Sequence, residues 1–421
     1  MFMVPAKINP ARIISRVLMV AGVIVGLLML TYGVMFALTG SSQFARVVVW
    51  LDVDVGDIDK FPSRTIKTSS ASELPAVPDG TTTEAFKRID PASGGGLDPA
   101  LGAGGDLDTF LAKTDTTSFL VVKDGKLVKE WYGEGVGRET LQTSFSVSKS
   151  FLSTLIGIAI EQGYIHSLDD PITKYIPELL DRDKQFGDIT LRNLVTMSSG
   201  LAWSDTMTPW GDPANTYYSP DLRATALSAV VDESPGKTFV YNNYNPLLLG
   251  MALERATKQH VSDYMSNELW GPLGAGANAS WSMDSDGSGF EKMESGLNAR
   301  AIDFARFGLM FANDGVVNGK QVVPKQWVSD ATAVNTSTDP AENYQYFWWV
   351  YPGGPEGSSA DFAAQGNLGQ YIYVAPNENI VIVRLGRHEQ GVAWPWLMGS
   401  IAHGMGAVEG PRPAPGPQYS L

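Results

Sequence analysis

Ser146-Val147-Ser148-Lys149, running directly into the apolar stretch from Phe151 to Ile160 with its single Gly157, decides how this chain is read. On a helix, residues three apart share a face about one turn from each other, so the Ser146 hydroxyl and the Lys149 amine can touch. A serine hydroxyl is a weak nucleophile until a base takes its proton. A desolvated lysine beside it can give up its own proton and serve as that base. The four residues therefore hold a candidate catalytic pair. A second Ser-x-x-Lys, Ser234-Pro235-Gly236-Lys237, carries proline and glycine between its ends, and these break the helix that the geometry needs.

The surrounding chain narrows the class. Its 421 residues are 44% hydrophobic and 10% aromatic, enough for a substantial core in one large domain or two ordinary ones. A net charge of −14 disfavours nucleic acid or an anionic membrane surface as the main ligand. The absence of cysteine removes disulfides, Cys-ligated zinc and thiol nucleophiles together. From Val17 to Leu38 the chain carries no charge, a length of helix sufficient to cross a hydrocarbon core of about 30 Å. Lys7, Arg12 and Arg16 precede that run, so a single-pass anchor with a cytoplasmic N-terminus and a periplasmic or extracellular remainder is expected. The alternative is a cleaved signal peptide, whose apolar region is normally only about 7 to 15 residues.

Residues 1–16 read as a cytoplasmic tail, 17–38 as the anchor, 39–107 as a connecting arm, 108–404 as the globular domain and 405–421 as a Pro/Gly-rich tail. The arm is punctuated by Pro62, Pro75, Pro78, Pro91, Pro99 and Gly94-Gly95-Gly96, with Val47 to Val55 as a potential strand. Phe119 to Val122 and Leu127 to Tyr132 flank Asp124-Gly125, a hairpin signal. A second hairpin is expected from Tyr371–Val374 and Ile380–Leu385 around Pro376-Asn377-Glu378-Asn379. Helical patterns fill the interval between them, notably Phe151 to Gln162, Leu247 to Thr257 and Ala301 to Asn313. This order predicts an α+β fold: an antiparallel sheet built from both ends of the domain, flanked by helices, with an inserted mostly helical lobe.

Competing chemistries leave little trace. There is no Gly-x-Ser-x-Gly and no His-Glu-x-x-His, and His166, His260, His388 and His403 are scattered without metal-ligand spacing. A Ser-His-Asp arrangement through His388 or His403 stays open from sequence alone. A serine and lysine pair also needs a group to return the proton and donors for the oxyanion. Tyr241-Asn242-Asn243 is the only Tyr-x-Asn, set between Pro235-Gly236 and the helical run from Leu247, and Tyr241 beside cationic lysines is expected to ionise below its usual pKa of about 10.

Taken in order, these stretches resemble the penicillin-recognising serine hydrolases, the group that includes class C β-lactamases, D-alanyl-D-alanine carboxypeptidases, related esterases and 6-aminohexanoate-dimer hydrolase. Thr143 to Ser150 is similar to the nucleophile motif, Glu161 to Pro171 to the helix exit, Ile189 to Leu201 to a further signature, and Pro235 to Asn243 to the second catalytic motif. The resemblance covers about residues 108 to 400 and implies a β-lactamase/transpeptidase-like fold. It makes Ser146 the nucleophile, Lys149 its base and Tyr241 the proton shuttle. Asn243 is then a group near the lysine or the substrate amide, and the backbone of Ser146 forms half of the oxyanion hole.

The third motif departs from the family. Where a Lys-Thr-Gly or His-x-Gly is usual, the chain has Ala364-Gln365-Gly366, followed by Asn367-Leu368-Gly369-Gln370. A cation there would recognise a carboxylate, so Ala364 argues against β-lactams and peptide C-termini. Gly366 and the backbone N–H of Asn367 keep the oxyanion role. Gly366 to Pro376, Phe347-Trp348-Trp349 and Asn298 to Gly308 are most similar to the 6-aminohexanoate-dimer hydrolase branch. Trp348 and Trp349 read as structural, with one of them a potential cleft wall. The expectation is a serine hydrolase of small-molecule amides or esters, needing no metal or organic cofactor. The alternatives are a β-lactamase or DD-peptidase, and a non-catalytic penicillin- or peptidoglycan-binding sensor.

Overall fold

The computed structural model describes residues 10–39, 43–50, 52–69, 71–78, 81–89, 105–206, 208–334, 341, 343–352 and 360–405. The predicted hairpins form as their turns dictate. Strands β1 (Ser63–Ile66), β2 (Thr116–Lys123), β3 (Lys126–Tyr132) and β4 (Gln142–Thr143) come before the nucleophile motif. Asp124 and Gly125 both take positive φ, 50° and 70°, the conformation a two-residue turn between twisted strands requires. β5 (Ala279–Ser282) and β6 (Leu297–Ala299) return from the helical lobe. β7 (Val316–Val317) and β8 (Lys320–Gln321) form a small separate hairpin. The remaining strands are β9 (Tyr344–Gln345), β10 (Trp348–Tyr351), β11 (Asp361–Gly366), β12 (Gln370–Ala375) and β13 (Ile380–Gly386).

Seven strands make the main sheet in the order β3-β2-β13-β12-β11-β10-β9, every pair antiparallel, so both ends of the domain meet at β2 and β13. Strands β12 and β13 are buried along their whole length, as a sheet covered on both faces must be. The helix Ala301–Ala312 lies on the face of Ile372 and Val381, where a Cβ at Gly308 would meet their methyl groups at 2.9 and 2.5 Å. The helix Trp394–Met405 covers the other face, with Trp394 stacked on Arg384 of β13. The helix Val147–Glu161 is buried from Val147 to Ala159 and runs between the main sheet and the lobe.

A four-stranded sheet, β1-β5-β6-β4, lies on the way into the nucleophile motif. Its edge strand β1 comes from the stretch 39–107 expected as a connecting arm. Gln43–Trp50 is also a helix rather than part of a strand over 47–55, because Trp50 packs edge-on against Phe61 at 5.0 Å and near Tyr218 at 6.2 Å. Tertiary packing here overrides the β preference of Val47-Val48-Val49. Arg46 on that helix donates to the carbonyls of Tyr218, Ser219 and Asp284. These parts of the stretch therefore pack on the domain instead of standing off it. The glycine run 94–96 and residues 406–421 lie outside the described residues. Pro10–Thr39 is one helix, with an exposed apolar span Ile14–Gly33 long enough to cross a membrane or to act as a signal sequence.

Candidate active site

Backbone strain marks the position expected for the nucleophile. Phe145 adopts φ 46°, costly for a bulky residue, and Ser146 follows at the mouth of the helix Val147–Glu161. Strand β6 holds the turn in place. Leu297 accepts from the Ser144 N–H at 3.0 Å and donates its own N–H to Ser148 Oγ at 2.9 Å, and Ser148 Oγ donates in turn to the Phe145 carbonyl at 2.7 Å.

Lys149 Nζ donates to Ser146 Oγ at 2.8 Å and to the Glu294 carbonyl at 2.9 Å. Its side chain is 1% exposed, and among the described residues no carboxylate lies within ion-pair distance of it. Burial drives its pKa down from the usual lysine value to about 7, against the pull of the Glu294 charge. Near neutral pH the amine can therefore take the Ser146 proton. The Tyr241 side chain faces Ser146, whose hydroxyl favours the ionised phenol, and its ring lies 4.9 Å from Lys149 Nζ. The expected easier ionisation of Tyr241 is not what the site produces: desolvation raises its pKa above the usual tyrosine range, so it stays protonated. A lysine that titrates near neutral pH and a protonated tyrosine thus flank Ser146, side chains able in principle to act as base and acid.

The signature Ile189 to Leu201 positions Tyr241. Met197 accepts from the Val240 N–H at 2.9 Å, Ser198 accepts from the Gly236 N–H at 2.7 Å, and Asn242 donates to the Leu201 carbonyl at 3.2 Å. The Tyr241 ring lies nearly parallel to Trp349 at 6.1 Å and edge-on to Tyr344 at 5.9 Å. Trp349 thus borders the site, whereas Trp348 is fully buried among Phe307, Phe311 and Phe362. Asn243 is not hydrogen-bonded to Lys149. Its amide donates to Thr216 Oγ1 at 3.2 Å, and its buried Oδ1 has no hydrogen-bond partner among the described residues.

At Gly366 a Cβ would stand 2.2 Å from the Ser144 carbonyl and 3.1 Å from the Ser146 nitrogen, so only glycine lets β11 approach the nucleophile. The turn Asn367-Leu368-Gly369 follows, with φ 60° at Leu368 and 83° at Gly369. Arg384 anchors it by donating to the carbonyls of Leu368 and Gly369 at 3.2 and 2.6 Å, while also reaching Thr114 and His388. The N–H groups of Ser146 and Asn367 thus come from two elements fixed against each other, one a helix start and one a braced turn. Ala364 is fully buried and offers no cation.

His403 pairs with Asp361 at 2.9 Å. Asp361 opens β11 and Gly366 ends it, which separates that pair from Ser146 by about 17 Å of strand. Among the described residues two clusters have metal-ligand proximity, Glu254–His260–Glu291 and Asp361–Glu378–His403. Arg223 and Arg64 already neutralise the first, and neither includes a member of the Ser146 constellation. Of the two tryptophans left open as a cleft wall, Trp349 takes that place, whereas the Glu294 carbonyl and Arg384 were not foreseen: a carbonyl leaves no mark on side-chain identity, and the arginine carries no motif.

Known proteins resemble this chain in sequence and fold. The Beta-lactamase family pattern matches residues 107–392. The 6-aminohexanoate-dimer hydrolase of Paenarthrobacter ureafaciens is 30% identical over 307 residues, 66% of this chain and 74% of that protein. A solved structure of a putative 6-aminohexanoate-dimer hydrolase from Bacillus anthracis superposes with a TM-score of 0.67 at 23% identity, covering 82% of this chain and 89% of its own. EstCE1, a hydrolase with promiscuous acyltransferase activity, shares the fold with a TM-score of 0.55 at 15% identity over 70% of this chain and 94% of its own. With its sheet order and the family match over most of its length, the chain belongs to the beta-lactamase family.

Proposed function

We propose that this serine hydrolase cleaves an amide or ester bond of a small molecule through an acyl-Ser146 intermediate. The observation that carries the reading is the 2.8 Å contact between Ser146 Oγ and a buried Lys149 amine whose pKa falls to about 7. Ser146 Oγ adds to the substrate carbonyl carbon and its proton passes to Lys149 Nζ. The N–H groups of Ser146 and Asn367 take the developing oxyanion beside Gly366. The C–N or C–O bond then breaks, with Tyr241 handing a proton to the leaving group and recovering one from Lys149. Water enters, gives a proton back along the same relay and attacks the acyl ester, releasing acid and restoring Ser146.

The buried Ala364 and the aromatic wall of Tyr241, Tyr344 and Trp349 support neutral acyl groups over carboxylate-bearing β-lactams. The 6-aminohexanoate-dimer hydrolase relative makes linear amides the first class to try. The exposed span Ile14–Gly33 supports a single-pass anchor with the catalytic domain on the periplasmic or outer side. The test is turnover of p-nitrophenyl esters, short linear amides and nitrocefin by the full chain in mild detergent, beside Ser146→Ala. Ser146-dependent turnover of esters or amides with nitrocefin untouched is expected. Equal turnover by Ser146→Ala would overturn the reading, and β-lactam retained on Ser146 without turnover would favour the sensor alternative.

A further inference from the structure

Behind the catalytic lysine lies a second buried lysine that the relay does not use. Lys292 is 1% exposed, and its Nζ sits 3.0 Å from Glu294 Oε1 and 2.5 Å from the Tyr217 carbonyl. The rings of Tyr217 and Phe61 face it at 4.0 and 4.5 Å. Glu294 is equally buried. Its Oε1 also accepts from Ser295 Oγ at 2.7 Å, while Oε2 has no hydrogen-bond partner among the described residues. A carboxylate left half-satisfied inside a protein is costly unless a counter-charge holds it. Its own backbone carbonyl is the second acceptor of Lys149 Nζ.

We infer that Lys292 and Glu294 are positioning residues that set the proton affinity of Lys149, and that Trp50, Asp57 and Phe61 ahead of β1 complete this device. The inference rests on the reading of Lys149 as the base. Residue Glu294 touches Lys149 through its carbonyl, and its carboxylate favours the ammonium form. Lys292 offsets that anion and disfavours the ammonium form. The other charged or titratable groups facing this row are Ser146 and Tyr241 around Lys149, Tyr217 with its hydroxyl on Asp57, and Arg46 and Asp284 acting on Lys292. Asp57, Trp50 and Phe61 come from the stretch ahead of β1. Phe61 is stacked edge-on against Tyr217 at 5.7 Å and against Trp50 at 5.0 Å, so that stretch closes the Lys292 box.

The test is the pH dependence of Ser146 phosphonylation by an alkyl fluorophosphonate, measured on the full chain. In that reaction Ser146 Oγ bonds to phosphorus, fluoride leaves and the proton goes to Lys149, so the acid limb reports when Lys149 becomes neutral without requiring the natural substrate. Glu294→Gln is expected to move the limb to lower pH, and Lys292→Met to higher pH, each by about half a unit or more. Phe61→Ala is expected to follow Lys292→Met in the same direction. Limbs coincident with the parent in folded Glu294→Gln would overturn the inference even if Lys292→Met fails to fold. So would uniformly slower labelling with an unmoved limb, the signature of a merely structural role. Absent labelling of the parent would overturn both this inference and the role of Lys149, whereas normal labelling without amide or ester turnover would count against the substrate reading alone.

Discussion

Lys149 is suited to the base role proposed for it because of where it is put. A lysine in water holds its proton to a pKa of about 10.4 and cannot serve as a base at neutral pH. Buried on the helix Val147–Glu161, with Ser146 Oγ and one carbonyl as its hydrogen-bond partners among the described residues, it releases the proton near 7. Since the neutral amine is the active form, kcat/KM is predicted to rise with pH through about 7 and then level off; a flat profile between pH 5 and 9 would exclude the assignment. Tyr241→Phe keeps the ring against Trp349 but removes the proton relay, so kcat should fall by about 10²-fold or more while the acid limb stays near its parent position. That Ser146, Lys149 and Tyr241 lie together was legible in the sequence because the roles expected of them need particular side chains. The Glu294 carbonyl was not, because any residue could supply it, and the direction of the Tyr241 shift depends on a depth of burial that its neighbours in sequence do not encode.

At the scale of elements, the site works because strands and loops brace short catalytic pieces. Gly366 is the tightest of these contacts. Gly366→Ala would place a methyl group 2.2 Å from the Ser144 carbonyl, so it is predicted to push β11 off the nucleophile turn, lowering kcat by about 10-fold or more and reducing thermal stability. Kinetics and a melting curve on the same sample check this, and unchanged kcat would mean that the turn tolerates the displacement. The stretch before 107 is a second brace. Ile66 of β1 is fully buried and Phe61 faces Lys292, so a chain beginning at 108 should melt at lower temperature than the full chain. The Asp124-Gly125 and Pro376–Asn379 hairpins were readable because their turns are local. β1 was not, since Ser63-Arg64-Thr65-Ile66 has no alternating pattern and its pairing is imposed by the distant β5.

Over the whole molecule, the active site is bought at the expense of stability. A lysine that is charged when unfolded and loses its proton at about 7 when folded binds fewer protons in the native state between that value and about 10.4. Native stability therefore rises with pH across this window, and the cost of burying Lys149 is fully present below it. Lys149→Met is predicted to be inactive yet to melt a few degrees above the parent at pH 6, an advantage that shrinks as pH climbs from 7 toward 10. A parent that melts higher than Lys149→Met at pH 6 would contradict a strained, desolvated lysine. The family architecture was legible at this scale through motifs in order, while the joining of the N-terminal stretch to the domain, which depends on contacts far apart in sequence, was not. Most direct is the mass of the full chain mixed with a p-nitrophenyl ester and quenched in acid during turnover. The predicted result is one acyl group, mapped to Ser146 and absent from Ser146→Ala; hydrolysis that proceeds with Ser146 unmodified and equally in Ser146→Ala would contradict it.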